Sequence, residues 1–478
     1  MDDLLIQKLQ NPNLYPHPVK NFKVLETHLS WVILTGSYAY KIKKPVNFGF
    51  VNFSTLEKRH FYCEKEIELN QAFAKELYIG VIPITNTETQ PTLNGEGPII
   101  EYAVKMHQFE QSQLLPEVFE RQELKAQLYS FASELAIFHL KTDKSNSQST
   151  YGTPEEIWKE MSDNFRDCLS KTTDLSKITN KNISTQLNTL EKWCQQEFIH
   201  YLPFLKKRKN SGFIRNCHGD LHLGNMILQN QKITLFDRIE FNEEFRWIDI
   251  MNEVAFLVMD LEVNHHPAEA FYFLNHYLEI TGDYEGLKLL RFYKIYRTMV
   301  RDKVALLTGY SVEDPQFITY LNLANNYILP AKPMLIIMCG VSGSGKSSIS
   351  LSLAAIIKAI RIQSDVERKR LFPELVGTST LYSKKNTEKT YNTLKTLAKT
   401  ILTSGLNVIV DATFLKFEFR EIFKKLALEL SISFKILHLN SSYPIIKERI
   451  SNRTQNDISE ATLDILDSQL KNQDHLTE

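Results

Sequence analysis

Gly340-Val341-Ser342-Gly343-Ser344-Gly345-Lys346-Ser347 combines a glycine-rich turn, a lysine and a hydroxyl at the spacing that grips a triphosphate. Ahead of it Met334-Leu-Ile-Ile-Met-Cys339 reads as a buried strand, and behind it Ser348-Ile-Ser-Leu-Ser-Leu-Ala-Ala-Ile-Ile-Lys358 carries helical spacing. Strand, loop and helix stand in the order that points backbone N–H groups and a helix N-terminus at a β-phosphate. Lys346 adds a mobile charge and Ser347 a hydroxyl for Mg²⁺. Gly340, Ser342, Gly343, Ser344, Gly345, Lys346, Ser347 and Ser348 are therefore the expected contacts to ATP and its metal.

Further along, Ile360-Arg-Ile-Gln-Ser364 reads as a second strand ending at Asp365, followed by Arg368 and Arg370. In a doubly wound sheet the acceptor lies beyond the C-terminal strand ends. There Asp365 can take a hydroxyl proton, or alternatively cap its helix, while Arg368 and Arg370 suit an anionic substrate. Leu406-Asn-Val-Ile-Val410 leads into Asp411-Ala412-Thr413, a Walker B-like aspartate that supports Mg²⁺ through Ser347 or water, with Thr413 beside the substrate. Lys447 to Arg453 puts Arg449 and Arg453 four apart on one helical face, either a lid over the transferring phosphate or a plain surface helix. This order of motifs resembles the zeta-toxin, gluconate-kinase and polynucleotide-kinase-like group of P-loop kinases. The resemblance implies phosphorylation of a hydroxyl on a sugar, a nucleotide sugar or a nucleic-acid end.

The other half of the chain has a different rhythm. Residues 22–110 are β-rich, with Ser30-Trp-Val-Ile-Leu34, Ala39-Tyr-Lys-Ile-Lys43 and Ile99-Ile-Glu-Tyr-Ala-Val-Lys105 as runs and one helical segment from Thr55 to Lys75. From Gln111 to about Leu307 the spacing is mainly helical, broken by a strand-like patch at Asn225–Leu228 and Ile233–Phe236. Just before and after that patch stand His218-Gly219-Asp220-Leu-His-Leu-Gly-Asn225 and Leu235-Phe236-Asp237. Phosphoryl transfer needs this spacing: one aspartate near the acceptor hydroxyl, and an Asn and a second Asp holding Mg²⁺.

These residues resemble the aminoglycoside phosphotransferase and choline kinase branch of the protein-kinase-like fold, whose loop reads HGDxxxxN. The resemblance implies Asp220 as catalytic base and Asn225 and Asp237 as metal ligands, with Asp249 as a structural anchor. A strand lysine must then reach the α/β-phosphates, held by a helical glutamate. Lys41 is favoured, with Lys43 on the same strand face; Glu66 is chosen from Glu64, Glu66 and Glu68. Gly36-Ser37-Tyr38 is a poor glycine-rich loop, and Glu101 to His107 is the expected interlobe hinge. Trp247 and Tyr293 read as core.

At 478 residues, two or three domains are expected. Net charge is zero, yet from Ala331 onward there are 21 Lys+Arg against 15 Asp+Glu, which suits an anionic ligand. The basic run Lys384, Lys385, Lys389, Lys395 and Lys399 stands opposite no obvious aromatic platform for stacking bases, so small-molecule acceptors rank above nucleic acid. Five scattered cysteines argue against disulfides or zinc. With no apolar run near ~20 residues and no basic stretch at the N-terminus, no membrane partner and a cytoplasmic location are expected.

Together the two resemblances match bacterial fusions of an aminoglycoside-phosphotransferase-like domain with a P-loop kinase. The expected fold is α/β and α+β multidomain. A bilobal kinase-like domain would span 1–330, with its small lobe about 1–107 and its helical lobe about 108–330, and a three-layer α/β/α domain with a parallel sheet 331–478. Tyr310 to Pro333 reads as the connector. The expected function is a bifunctional ATP- and Mg²⁺-dependent phosphotransferase acting on small, sugar-like hydroxyl acceptors. Two alternatives stand beside it: one domain as a nucleotide-binding regulator of the other, and the P-loop domain as a polynucleotide 5′-kinase.

Overall fold

In Tyr38-Ala-Tyr-Lys-Ile-Lys43 the strand period places Ala39, Lys41 and Lys43 on one face and Tyr40 and Ile42 on the other. The computed structural model, which describes residues 2–146, 148–172, 178–452 and 462–476, uses both faces. A six-stranded antiparallel sheet is built from β1 (Lys23–Glu26), β2 (Ser30–Leu34), β3 (Tyr38–Lys43), β4 (Tyr78–Thr87), β5 (Gln90–Leu93) and β6 (Ile99–His107), in the order β1-β2-β3-β6-β4-β5. Tyr40 and Ile42 pack with Leu5, Ile6 and Leu9 of the N-terminal segment. On the opposite face Ala39 joins Cys63 and Ala74 of the helix Leu56–Ala74, which Thr55 caps through its hydroxyl.

The sheet belongs to a compact unit made of Met1–Gln127, Lys141–Asp260 and Phe292–Tyr327. Its helical part contains Pro154–Ser170, Ile178–Asn210 and most of Ile250–Val263 and Leu290–Leu307. A short antiparallel pair, β7 (Ile214–Asn216) and β10 (Trp247–Asp249), brackets the hairpin of β8 (Met226–Gln229) and β9 (Lys232–Leu235). Asn230 and Gln231 both take positive φ, the two-residue turn whose twist matches flanking strands. The expected connector contains the helix Pro315–Tyr327: Asp314 accepts from the Gln316 N–H at its start, and Phe317, Tyr320, Leu321 and Ala324 are buried at helical spacing.

The second unit comprises Leu128–Leu140, Leu261–Arg291 and Ile328–Glu478. Its sheet is all parallel, with β11 (Met334–Cys339), β12 (Ala359–Gln363), β13 (Asn407–Asp411) and β14 (Ser433–His438) in the order β12-β13-β11-β14. Near-continuous apolar runs such as Asn407-Val-Ile-Val410 are those of strands covered on both faces. The helix Pro267–Thr281 lies against β12 and closes its outer edge: Asn275 donates to the Ala359 carbonyl at 2.9 Å and accepts from the Arg361 N–H at 2.6 Å. Among the described residues no helix is long and apolar enough to cross a membrane. All five cysteines are buried free thiols.

Candidate active sites

The loop His218–Asn225 runs from β7 to the start of β8. Gly219 has φ of +93°, and a Cβ there would stand 2.6 Å from the Phe245 carbonyl oxygen, so only glycine fits. Its N–H donates to Glu253 at 2.6 Å and its carbonyl accepts from Arg297 at 3.1 Å, while the Leu223 N–H donates to Asp260 at 2.8 Å. These three anchors carry no motif and were invisible in the sequence. His218 Nε2 donates to the Phe236 carbonyl at 3.0 Å and Nδ1 accepts from the Asp220 N–H at 3.3 Å. Burial pulls the His218 pKa down to about 4, so its imidazole is neutral at neutral pH.

Asp220 is half-buried at the mouth of this loop. Asn225 Nδ2 donates to its carboxylate at 2.8 Å and to its carbonyl at 3.0 Å, and His222 Nε2 lies 3.3 Å from the same carboxylate. Burial acts to raise the Asp220 pKa, but His222, Arg301 and His218 outweigh it and hold the carboxyl well below the usual range. Asp220 is thus ionised at neutral pH.

Behind it runs a chain of alternating charge. Lys41 Nζ donates to Glu66 at 2.9 Å and to Asp237 at 2.5 Å; Lys43 Nζ donates to the other Glu66 oxygen at 2.7 Å and to Glu240. Strand alternation brings both lysines to one glutamate, yet only Lys41 faces the cleft, at 15% exposure against 1% for Lys43. Burial alone would raise the Glu66 pKa, but the two lysines bring it down to about 2. Glu64 and Glu68 lie on the outer face with His60 and Lys65. Asp237 sits at φ of +63°, its N–H donating to the Tyr78 hydroxyl.

The hinge expected at Glu101 to His107 is corrected. Ala103 to His107 pair with β3 on one side and β4 on the other, so their backbone groups are consumed by the sheet, and Glu101 is a buried partner of Arg59. Past the sheet, the Gln108 N–H donates to the Ser37 carbonyl at 3.1 Å. Gly36-Ser37 forms the β2–β3 turn at that same end, where the Thr35 and Gly36 N–H groups donate to Gln108. The turn at the Lys43 end is Thr27-His28-Leu29, tied to the Lys44 N–H, and it carries no glycine. Burial and Lys44 lower the His28 pKa, and the Asp220 charge opposes them across the cleft.

Beside Asp220 opens a pocket lined by Phe245, Trp247 and Tyr296 together with Glu156, Glu160 and Glu244. Burial pushes the Glu156 carboxyl up to about 7 and raises that of Glu160. Trp247 stacks on Tyr151 at 5.9 Å and faces the pocket rather than the core, whereas Tyr293 is fully buried. Asp249, expected as an anchor of the His218–Asn225 loop, forms a buried two-point pair with Arg208 at 2.6 and 2.7 Å, while Glu253 and Asp260 accept from that loop.

In the second unit the phosphate loop closes on itself. Gly340 has φ of +143°, and a Cβ there would stand 2.6 Å from the Leu439 carbonyl oxygen. Lys346 Nζ donates to the Val341 carbonyl at 2.8 Å, and Arg449 reaches the Gly343 carbonyl at 3.3 Å, above the loop. Ser342 exchanges two hydrogen bonds with Gln469, at 2.8 and 3.1 Å, a residue the motif reading missed. Arg453 falls outside the described residues.

Ser347, Ser348, Gln363, Asp365, Arg368, Asp411 and Thr413 line one continuous cavity with the loop. Asp365 does not cap its helix, whose N-cap is Gln363; its carboxylate pairs with Arg368 at 2.6 Å. Arg370, two residues on, turns to Glu367 and the Glu279 carbonyl and does not reach the cavity. Its offset of five residues from Asp365 puts it on another helical face. The acceptor end is walled by Tyr382, Tyr391 and Phe419, the last two stacked at 3.9 Å. Gln363 Oε1 and Arg368 Nε are buried there without a hydrogen-bond partner, which fits a polar ligand.

Both sites offer the hard oxygen donors that suit Mg²⁺. In the first, Asn225 spends its amide nitrogen on Asp220, so its side-chain oxygen is the end that could serve a cation. In the second, Ser347 Oγ accepts from Gln363 at 3.0 Å, and Asp411 accepts from Ser350 at 3.0 Å. Burial raises the Asp411 pKa against the pull of Arg361 and Lys346.

Residues 335–476 match the family model described as an AAA domain. An uncharacterized protein of Mycobacterium tuberculosis is 28% identical over 465 residues, which cover 94% of this chain and 90% of that protein. Among solved structures, a Plasmodium vivax ethanolamine kinase covers 65% of this chain and 82% of its own at 13% identity, with a TM-score of 0.38. A gluconokinase from Sinorhizobium meliloti covers 30% and 77% at 23% identity, with a TM-score of 0.24.

Proposed function

We propose that the chain is a bifunctional, cytoplasmic ATP- and Mg²⁺-dependent phosphotransferase, each unit transferring a γ-phosphate to a hydroxyl of a small molecule. One observation carries the reading for the first unit: Asp220, Asn225, Asp237 and the Lys41–Glu66 pair meet at one cleft although they come from segments far apart in the chain. Asp220 accepts the hydroxyl proton as the acceptor oxygen bonds to phosphorus and the bond to the ADP oxygen breaks. Lys41, held by Glu66, neutralises the α/β-phosphates. Asn225 and Asp237 would hold Mg²⁺, which would supply neutralisation of the triphosphate charge.

Around the pocket beside Asp220 the carboxylates Glu156, Glu160 and Glu244 outnumber the cations Arg297 and Lys303, and with the aromatic rings they favour a hydroxyl compound that carries positive charge. In the second unit Lys346 and the loop N–H groups hold the phosphates, and Asp365 takes the acceptor proton. Among the described residues Arg368, the arginine beside Asp365 in the cavity, is already neutralised by Asp365, which favours a neutral, sugar-like acceptor over an anionic one. Incubating the full chain with ATP and a metabolite pool, then reading mass shifts, tests the proposal. Asp220→Asn and Lys346→Ala are each expected to remove one set of products. If neither change alters ATP consumption with any acceptor, the reading fails.

A further inference from the structure

Arg361 lies in the middle of β12, and its buried guanidinium reaches two ways. Toward the phosphate loop, Nη1 donates to the Ser347 carbonyl at 3.0 Å and stands 3.9 Å from Asp411 Oδ2. Away from it, Nε donates to Glu279 at 3.0 Å and Nη2 donates to the same oxygen. Glu279 belongs to the helix Pro267–Thr281, outside the stretch 335–476 that carries the phosphate-loop fold. The second Glu279 oxygen lies 3.6 Å from His276 Nδ1, and the His276 ring stacks on Tyr129, which itself borders the nucleotide cavity.

Two buried carboxylates thus compete for one guanidinium. Glu279 has it, at hydrogen-bond distance through two nitrogens. Asp411 is held at the longer distance through Oδ2, the oxygen that also accepts from Ser350, and the residue lines the cavity. In a buried setting an unshared Arg361 would close on Asp411, since attraction between opposite charges grows steeply as water is excluded. That contact would draw Oδ2 from Ser350 and shift the carboxylate a metal would use.

We infer that Glu279 is a positioning residue of the phosphate-loop site: by holding Arg361 it keeps Asp411 open to the metal–nucleotide complex. The inference rests on the reading of this site as a nucleotide site. The Asn275 contacts to Ala359 and Arg361 fix the strand and helix relative to each other, so the Glu279 side chain arrives at a defined depth.

The test uses the full chain carrying Asp237→Asn, which disables the proposed metal site of the first unit, with Mn²⁺ and the non-hydrolysable analogue AMPPNP, read by electron paramagnetic resonance. Glu279→Gln is expected to weaken Mn²⁺ binding by roughly 10- to 100-fold. Glu279→Asp should restore most of it. The combination of Glu279→Gln with Arg361→Gln should bind more tightly than Glu279→Gln alone, because the competing cation is gone; a merely structural role would make the pair worse. Native Mn²⁺ affinity in Glu279→Gln, or weaker binding in the double variant, overturns the inference. Thermal unfolding reports whether each variant folds; should Glu279→Gln not fold, Arg361→Gln alone must bind Mn²⁺–AMPPNP at least as well as the native chain, and weaker binding overturns the inference. Unchanged Mn²⁺–AMPPNP binding in Lys346→Ala would instead overturn the nucleotide-site reading itself.

Discussion

In the first unit the charges that would meet a triphosphate are side chains brought together over long separations, as Lys41 and Asp237 are across 196 positions. In the second they are backbone N–H groups within one turn, from Gly340 to Ser347, with a single lysine folded onto them. The first arrangement is a network in which each charge is held by another: Glu66 serves two lysines, and Asp220 is held by His222 and Asn225. The second is a rigid cradle whose geometry needs almost no side chains. A network tolerates backbone variation but fails when one member is lost. A cradle tolerates side-chain variation and fails when a glycine is lost.

The strongest way to break this contrast is to remove one chemical group from each site. Asp220→Asn is expected to lower transfer to the first acceptor by about 10²- to 10⁴-fold, as loss of a general base does. Lys346→Ala should lower transfer to the second by about 10²- to 10³-fold. Each should spare the other product in a mass-resolved assay; a single change that removes both products would merge the two sites into one.

Next in size is the stability of the network. Lys43→Met strips a fully buried cation from between Glu66 and Glu240, which should cost about 3–5 kcal/mol, read as a shift in the urea unfolding curve. Lys41→Met should cost visibly less, because Lys41 opens to the cleft and its partner Asp237 is 38% exposed. Equal losses would show that the chain of charges is not graded by burial.

A smaller effect is expected with pH. Glu156 is neutral below about 7 and ionised above it. For a cationic acceptor, kcat/KM should therefore rise through that range, and the inflection should vanish in Glu156→Gln. Stability carries the opposite sign: a carboxyl raised by burial stabilises the fold below the ordinary glutamate pKa, and that contribution is lost as pH climbs through about 7. The smallest effect belongs to Arg370→Ala, which should leave the second acceptor's KM within about twofold, as its guanidinium is spent on Glu367 and the Glu279 carbonyl.

Contiguity decided what could be read from the chain. The phosphate loop, the His218–Asn225 loop and the strand carrying Lys41 are short runs in which residue type and spacing are the function. Picking Glu66 from its neighbours needed only helical periodicity and a facing strand. The helix Pro315–Tyr327 was hidden by prolines before and after it, though Phe317, Tyr320, Leu321 and Ala324 already spell a buried stripe. The acceptor-pocket residues Glu156, Glu160, Trp247 and Tyr296 come from separate helices and loops and form no pattern until the chain has folded. The same holds for Gln469 against Ser342, and for the recruitment of Leu128–Leu140 and Leu261–Arg291 into the second unit.

Asn275 stands to β12 as a missing neighbour strand would, giving one donor and taking one acceptor. A fragment cut at Ala331 to isolate the nucleotide-binding half would lose that amide and uncover a strand with open ladder groups and apolar neighbours, the usual template for unwanted pairing. Such a fragment would be expected to clump in solution, and soluble expression would call for retaining the segment from Leu261 onward. The choice of cloning boundary is thereby dictated by one side chain far upstream of the motif it protects.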